Sequence, residues 1–372
     1  MKNPKTGICH ISTAHLGLDI RIFQKECTTL ALQPDMEVHL IIQDTHSRNI
    51  NGVHIHALPI QTSRLKRFIS NGWLAFRTGL RTGSVLFHFH DPEFIPFAIL
   101  LKLFGKKVIY DVHENLPKDI LEKEWVGGTR QRKIVSGLAR FMQQFGALFF
   151  DGIISVSDEI AADFPARKSH VISNYPILSK IDSIAKKDLG YSNPILIYTG
   201  GLTRIRGIKE LIQAMDYIED AKLILMGTWS DSGFEKECLE LLNKDKVEVI
   251  EQQPLEVAYT YMKAAHVGVV NFLPVANHVN SRPNKPFEYM ASGIPIVMSS
   301  FEAWKEIFQP CALFANPQNP SEIAHAIKRL LQDPELASTL GQAGRKEILD
   351  HYSWESITPQ FLTIYHQLLK QS

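Results

Sequence analysis

Gly200-Gly201-Leu202-Thr203-Arg204-Ile205-Arg206-Gly207 follows an apolar run and carries residue types that suit a diphosphate. Glycines let a backbone approach an anion closely. The next helix start offers free N–H groups, and Arg204 and Arg206 can add charge-assisted hydrogen bonds. A tight strand-to-helix turn with two solvated arginines fits the same residues. The loop is neither Gly-x-Gly-x-x-Gly nor a Walker sequence, which counts against an ordinary dinucleotide enzyme and a P-loop nucleotidase. The first half of the chain opens in a similar way, His10-Ile11-Ser12-Thr13-Ala14-His15-Leu16-Gly17-Leu18-Asp19-Ile20-Arg21. A second polar group, His88-Phe89-His90-Asp91-Pro92-Glu93, ends another apolar run. Metal binding there is conceivable, but an acceptor-side polar wall is the better reading. His54 and His56 alternate and share one strand face.

These loops need strands to aim them. Short apolar runs separated by helical periodicity read as buried parallel strands. In the first half they are Thr6–Ile11, Glu37–Ile42, Val53–Leu58, Val85–Phe89, Lys107–Asp111 and Gly152–Val156. In the second they are Ile195–Thr199, Lys222–Met226, Val247–Ile250, Val267–Val270 and Pro295–Met298. The alternation predicts an α/β protein with two Rossmann-like doubly wound parallel sheets, each placing its loops at the carboxyl ends of strands. Tyr175-Pro176 and Asn193-Pro194 bracket a polar stretch that reads as a linker. The expected domains are 1–175, 190–352 and a C-terminal helix, 353–372, bearing Trp354, Phe361 and Tyr365.

Composition narrows the function. A formal net charge of +1 supplies no overall field for nucleic acid. Four scattered cysteines with no Cys-x-x-Cys pair argue against a zinc site or disulfide framework and fit a reducing cytosol. The N-terminus is polar up to Ile8, so no signal peptide is expected. The apolar run near Phe94–Leu101 falls far short of the roughly 20 residues of a spanning helix. Two basic amphipathic segments remain. Arg64–Arg81 carries Arg64, Lys66, Arg67, Arg77 and Arg81 with no acid, and Leu65, Phe68, Ile69, Trp73, Phe76 and Leu80 at helical spacing. It suits either an anionic membrane surface or packing on the sheet. Arg130–Phe150, with Ile134, Leu138, Phe141, Phe145 and Leu148, is expected to face the core.

Asn284-Lys285-Pro286-Phe287-Glu288-Tyr289-Met290-Ala291-Ser292-Gly293-Ile294-Pro295-Ile296-Val297 resembles the donor signature of glycosyltransferase family four, also called group 1. Asp19-Ile20-Arg21-Ile22-Phe23-Gln24-Lys25-Glu26 and Val108-Ile109-Tyr110-Asp111-Val112-His113-Glu114-Asn115 are similar to the N-terminal signatures of its polysaccharide and glycolipid branch. The resemblance runs from about Gly7 to Leu369. It implies a GT-B fold, with the two sheets facing across a cleft and the last helix crossing back. It implies a nucleotide-sugar donor, UDP- or GDP-linked, retention of configuration, and no cofactor or metal. The chain agrees in having no Asp-x-Asp. The implied acceptor is a glycan or lipid-linked glycan of capsule or O-antigen type. The implied location is cytoplasmic, at the inner face of the plasma membrane if Arg64–Arg81 docks there.

By the same resemblance, Glu288 would take the ribose hydroxyls, since a carboxylate can accept two bonds from a diol; stabilising its own helix dipole is the alternative. Lys285 and Arg206 would lie at the diphosphate, and His113 beside the donor sugar. These four form the expected catalytic group. Gly17, Gly200, Gly201, Thr203, Arg204, Gly227, Asn280 and Phe287 complete the donor side, and Asp19, Arg21, His90, Asp91 and Glu114 the acceptor side. Asp19 and Arg21 also fit pairing with each other or capping a helix. Two positions depart from the family pattern. Asn280 stands where many relatives have a glutamate eight residues before Glu288, and Gly201 stands where many have an arginine, with Arg204 a shifted substitute. The departures keep open a sugar-nucleotide-binding protein without transfer activity. A GT-B sugar-nucleotide epimerase is the other rival.

Overall fold

The structure, a computed structural model, describes residues 5–122 and 126–370. It divides into two units, Met1–Asn174 with Ile357–Ser372, and Tyr175–Ser356.

The N-terminal unit holds an eight-stranded sheet. Its strands are β1 (Thr6–Leu16), β2 (Met36–Gln43), β3 (Arg48–Ile50), β4 (Val53–Leu58), β5 (Leu86–Phe89), β6 (Lys107–Val112), β7 (Gly152–Ser155) and β8 (Ser169–Val171). The order is β3-β4-β2-β1-β5-β6-β7-β8. Every pairing is parallel except the β3–β4 hairpin at one edge. The central strands are continuous apolar runs because helices cover both faces. Phe89 stacks on Tyr110 across β5 and β6 with centroids 4.6 Å apart, and Phe150 packs edge-on against Phe89. The last helix, Trp354–Lys370, belongs to this unit from Ile357 onward. Phe361, Ile364 and Tyr365 are buried, and Lys107 Nζ donates to the Leu368 carbonyl at 2.6 Å.

The C-terminal unit has β9 (Ile195–Thr199), β10 (Lys222–Met226), β11 (Val247–Ile250), β12 (Val267–Val270), β13 (Ile296–Ser299) and β14 (Ala312–Ala315). All are parallel, in the order β11-β10-β9-β12-β13-β14. Gly268 on β12 is needed for close packing: a Cβ there would lie 2.5 Å from the Tyr289 ring. Tyr289 in turn accepts the Thr199 N–H at 3.1 Å. These contacts seat the helix Asn284–Ala291 against the end of β9.

Several expectations need correction. β1 runs on to Leu16, and the edge strands β3, β8 and β14 were missed because three or four residues carry too little period-2 signal. The presumed linker contains a helix, Leu178–Asp182, whose first N–H groups donate to Glu355 at 2.9 Å. The helix Thr129–Phe149 is reversed from expectation. It buries Ser136, Ala139, Gln143, Gly146 and Ala147 and leaves its apolar stripe exposed. Small residues allow close approach to the neighbouring helix: a Cβ on Gly146 would lie 2.9 Å from Ile95.

Candidate active site

In the C-terminal unit, the loop after β9 is held by backbone shape. Gly200 has φ +140° and Gly207 φ +64°, conformations that favour glycine. A Cβ on Gly207 would meet the Asn271 carbonyl at 2.0 Å, and one on Gly227 would meet the Gly200 carbonyl at 1.8 Å. Gly227 is thus required by the loop itself. The Arg206 guanidinium lies beside this loop, 2.9 Å from where a Gly200 Cβ would stand, with its Cζ 5.4 Å from the centroid of the Phe272 ring. No carboxylate of the described residues pairs with it. Thr203 Oγ1 is buried with no hydrogen-bond partner. A half-buried, unneutralised guanidinium over a glycine loop has the chemistry to hold an anion.

Arg204 does not serve as the substitute arginine. Its side chain is exposed, donates to Glu237 Oε2 at 2.5 Å and lies over Phe234. Glu237, held down at about 2 by Arg204 first and then Lys209, neutralises both cations. Phe287 is also corrected. It is 2% exposed and packs against Tyr175, Phe308 and Tyr352 within the core of its unit. Lys285 Nζ donates to Glu288 Oε2 at 2.7 Å, one turn apart. Glu288 Oε1 has no protein donor among the described residues. Asn280 is exposed in the turn before the Asn284–Ala291 helix.

In the N-terminal unit, adjacent strand ends bring five polar side chains together. Register aligns His10 on β1 with His88 on β5, and Asp111 lies near the end of the neighbouring β6. Asp111 is the hub. It accepts Arg21 Nε and Nη2 at 2.9 and 2.8 Å, His113 Nε2 at 2.8 Å and His90 Nδ1 at 3.2 Å. Burial alone would raise this carboxyl, but Arg21 and then His113 hold it well below the usual range. An ionised carboxylate only accepts, so the protons can be placed from this end. His113 carries its proton on Nε2, which leaves Nδ1 as an acceptor. His90 carries its proton on Nδ1, so its Nε2 accepts from His10 Nδ1 at 3.1 Å. His10 Nε2 then accepts the Tyr365 hydroxyl at 3.1 Å, and Tyr365 accepts from His88 Nδ1 at 2.5 Å. The chain ends at His88 Nε2, which is buried and unpaired. Burial lowers the pKa of His10, His88 and His90, to about 4 for His90, consistent with neutral rings at these three positions.

This network corrects three acceptor-side expectations. Arg21 is buried and fully engaged, its Nη1 donating to the Ile172 carbonyl at 3.0 Å. It pairs with Asp111 rather than Asp19. His90 is buried inside the relay. Asp91 is buried too, accepting from Ser12 Oγ, Thr13 N and Ala14 N, so it holds the C-terminal half of β1. Asp19 caps the helix Ile20–Cys27 through the Arg21 and Ile22 N–H groups and accepts from His15 at 3.1 Å. Burial raises its pKa, but the His15 and Ile22 bonds outweigh that and hold it at about 2. His113, His15 and Asp19 are the partly exposed members of this region, and Glu114 is exposed. Gly17 has φ +37° and lies 3.3 Å from the Asp44 carboxylate, measured from its would-be Cβ.

His10, Glu26, His88 and His90 offer ligand atoms within 4.8 Å of one another, as do His90, Asp111 and His113. Their facing nitrogens are already bonded to each other and to Tyr365. Arg21 Nε also lies 3.2 Å from Glu26 Oε1, a fixed positive charge that disfavours a metal cation. Burial and then Asp111 push the Glu26 carboxyl up, so it is held protonated. His10, Glu26 and Tyr365 were not among the expected site residues. The histidines at strand ends were the signal, and the strand order that gathers them was not readable.

Residues 179–347 match the family described as glycosyl transferases group 1. The chain is 26% identical to the MMP alpha-(1->4)-mannosyltransferase of Mycolicibacterium hassiacum over 303 residues, 75% of this chain and 70% of that protein. It is 27% identical to the glycosyltransferase MJ1607 of Methanocaldococcus jannaschii over 182 residues, 46% of this chain and only 44% of that relative's length. Sucrose-phosphate synthase from Thermosynechococcus elongatus superposes with a TM-score of 0.78 at 22% identity, covering 99% of this chain and 100% of that one. The paired Rossmann-like sheets and returning helix therefore define a GT-B protein. Within that class, residues 179–347 carry the likeness to the group 1 glycosyltransferases.

Proposed function

We propose that the protein transfers a sugar, with retention, from a UDP- or GDP-linked donor to a glycan or lipid-linked acceptor in surface polysaccharide assembly, without a metal. The observation that carries the donor side is Arg206, a guanidinium with no carboxylate partner over the Gly200–Gly201 loop. Gly200, Gly201 and Thr203 would hold the diphosphate with it, Gly227 keeping the loop in place. Lys285 would neutralise the departing phosphate. Glu288 would take the ribose through its free oxygen, with Asn280 nearby. His113, oriented by Asp111, would meet a sugar hydroxyl through Nδ1. Gly17, Asp19 and Glu114 would lie toward the acceptor. Exposed apolar residues in Arg64–Arg81 support peripheral contact with a membrane bearing that acceptor.

In this reading the bond from the anomeric carbon to the diphosphate oxygen loosens first. The acceptor hydroxyl oxygen bonds to the same face of the sugar, and its proton passes to the departing phosphate oxygen. The protein's share is positioning and stabilising the negative charge that grows on the diphosphate. Arg206, Lys285 and the loop N–H groups supply that charge stabilisation. The test is thermal unfolding with UDP, GDP and ADP on wild type, Arg206→Ala and Glu288→Ala. A ligand bound only by the folded state raises stability by mass action. One diphosphate should stabilise wild type and lose its effect in both variants. No shift in wild type at saturating nucleotide would sink the donor site.

A further inference from the structure

The exposed stripe of the Thr129–Phe149 helix is the centre of a larger surface. Ile134, Leu138, Phe141, Phe145 and Leu148 are 45–66% exposed. At roughly 100° per residue they lie about opposite the helix's buried side. The helix Ile95–Leu103 packs beside it and contributes Leu103 and Phe104, 76% and 62% exposed. The helix Gly72–Arg81 packs against that one in turn, with Phe76 and Phe104 joined edge-on at 5.8 Å. Its own segment adds exposed Leu65, Ile69 and Trp73. Single exposed apolar residues are ordinary, but a run across three neighbouring helices marks a binding surface.

Charge identifies the occupant. Segments 64–81, 95–104 and 129–149 hold five, one and four Lys or Arg and no Asp or Glu, in a chain of net charge +1. Arg67, Lys102 and Arg140 pair with Glu93, Asp151 and Asp163. Lys66, Arg77, Arg81, Arg130 and Lys133 are exposed and have no carboxylate partner among the described residues. A second copy docked face to face would set these cations against each other. An anionic lipid surface neutralises them while its interfacial region takes the apolar side chains. Among the described residues no helix is long and apolar enough to cross a membrane. We propose that this three-helix face docks the protein flat on an anionic bilayer, with Thr129–Phe149 as the principal contact. The proposal rests on the membrane contact suggested above for Arg64–Arg81 and extends it to two further helices. It does not depend on which donor is bound.

The test is flotation of the full chain with phosphatidylcholine vesicles, pure or containing about 30% phosphatidylglycerol. Wild type should bind the anionic vesicles at least tenfold more tightly than the neutral ones and release as salt screens the lysines and arginines. Leu138→Ser with Phe141→Ser should weaken binding at least tenfold, as should Arg130→Glu with Lys133→Glu. All four positions are exposed, so nucleotide-induced thermal stabilisation should persist in the variants, showing that they fold. That readout also separates the two ideas, since flotation can succeed where no nucleotide binds, and the reverse. No flotation, or flotation indifferent to the serine pair, would overturn the proposal. So would a dimer in light scattering that the serine pair splits, which would assign the face to self-association.

Discussion

Replacing Tyr365 by phenylalanine removes one oxygen from the centre of the buried relay. The ring keeps its volume, so no cavity opens. The hydroxyl donates to His10 Nε2 and accepts from His88 Nδ1. Its loss strands an acceptor and a donor among side chains that are 0% exposed. Each buried orphan costs about 1–3 kcal/mol, giving about 2–6 kcal/mol together. For a unit of this size each kcal/mol moves the melting temperature about 2–4 °C. The expected drop is therefore at least about 4 °C, read by differential scanning calorimetry, where the two units can melt separately. In a His88→Leu background the same substitution should cost less, because one orphan is already gone. A Tyr365→Phe shift within about 1 °C of zero would refute the hydroxyl bridge and the proton assignment built on it.

The two buried carboxyls should respond in opposite ways. Asp111→Asn leaves the Arg21 charge buried and uncompensated and should cost about 3–5 kcal/mol in urea unfolding. Glu26→Gln replaces a protonated carboxyl by a neutral group of the same shape and should change stability by under about 1 kcal/mol; a large loss would show that Glu26 is ionised. Acid should weaken the N-terminal unit. His10, His88 and His90 have folded pKa values below 6.5, so their contribution is full above pH 6.5 and lost as pH falls. For His90, held near 4, the full loss is about 3 kcal/mol. Glu26 acts the other way, since a raised carboxyl gives stability that is lost as pH rises, and it offsets part of the effect. The urea midpoint should fall between pH 7 and pH 5, and a flat or rising midpoint would contradict the neutral rings.

Local pattern was enough to show what each stretch of chain is. Ile195–Thr199, Lys222–Met226 and Val267–Val270 begin and end where their apolar runs do, because a strand buried on both faces has no other way to be written. The Gly200–Gly207 loop was also legible, since positive φ and close backbone approach demand glycine wherever the chain goes next. Partnership was not legible. Arg204 and Arg206 sit two residues apart in one loop, yet Glu237, thirty-odd positions downstream, neutralises only the first. Arg21 reads as an acceptor-side residue or a partner of Asp19 until β6 brings Asp111 against it. His10, His88, His90 and Tyr365 are scattered along the chain and meet only because β1 lies beside β5 and the last helix returns to that sheet. The Thr129–Phe149 helix makes the same point on a surface. Its sequence specifies two faces, one apolar and one small, and periodicity cannot say which turns inward. Here the tight approach to Ile95 admits only the small face, so tertiary packing left the apolar one outside.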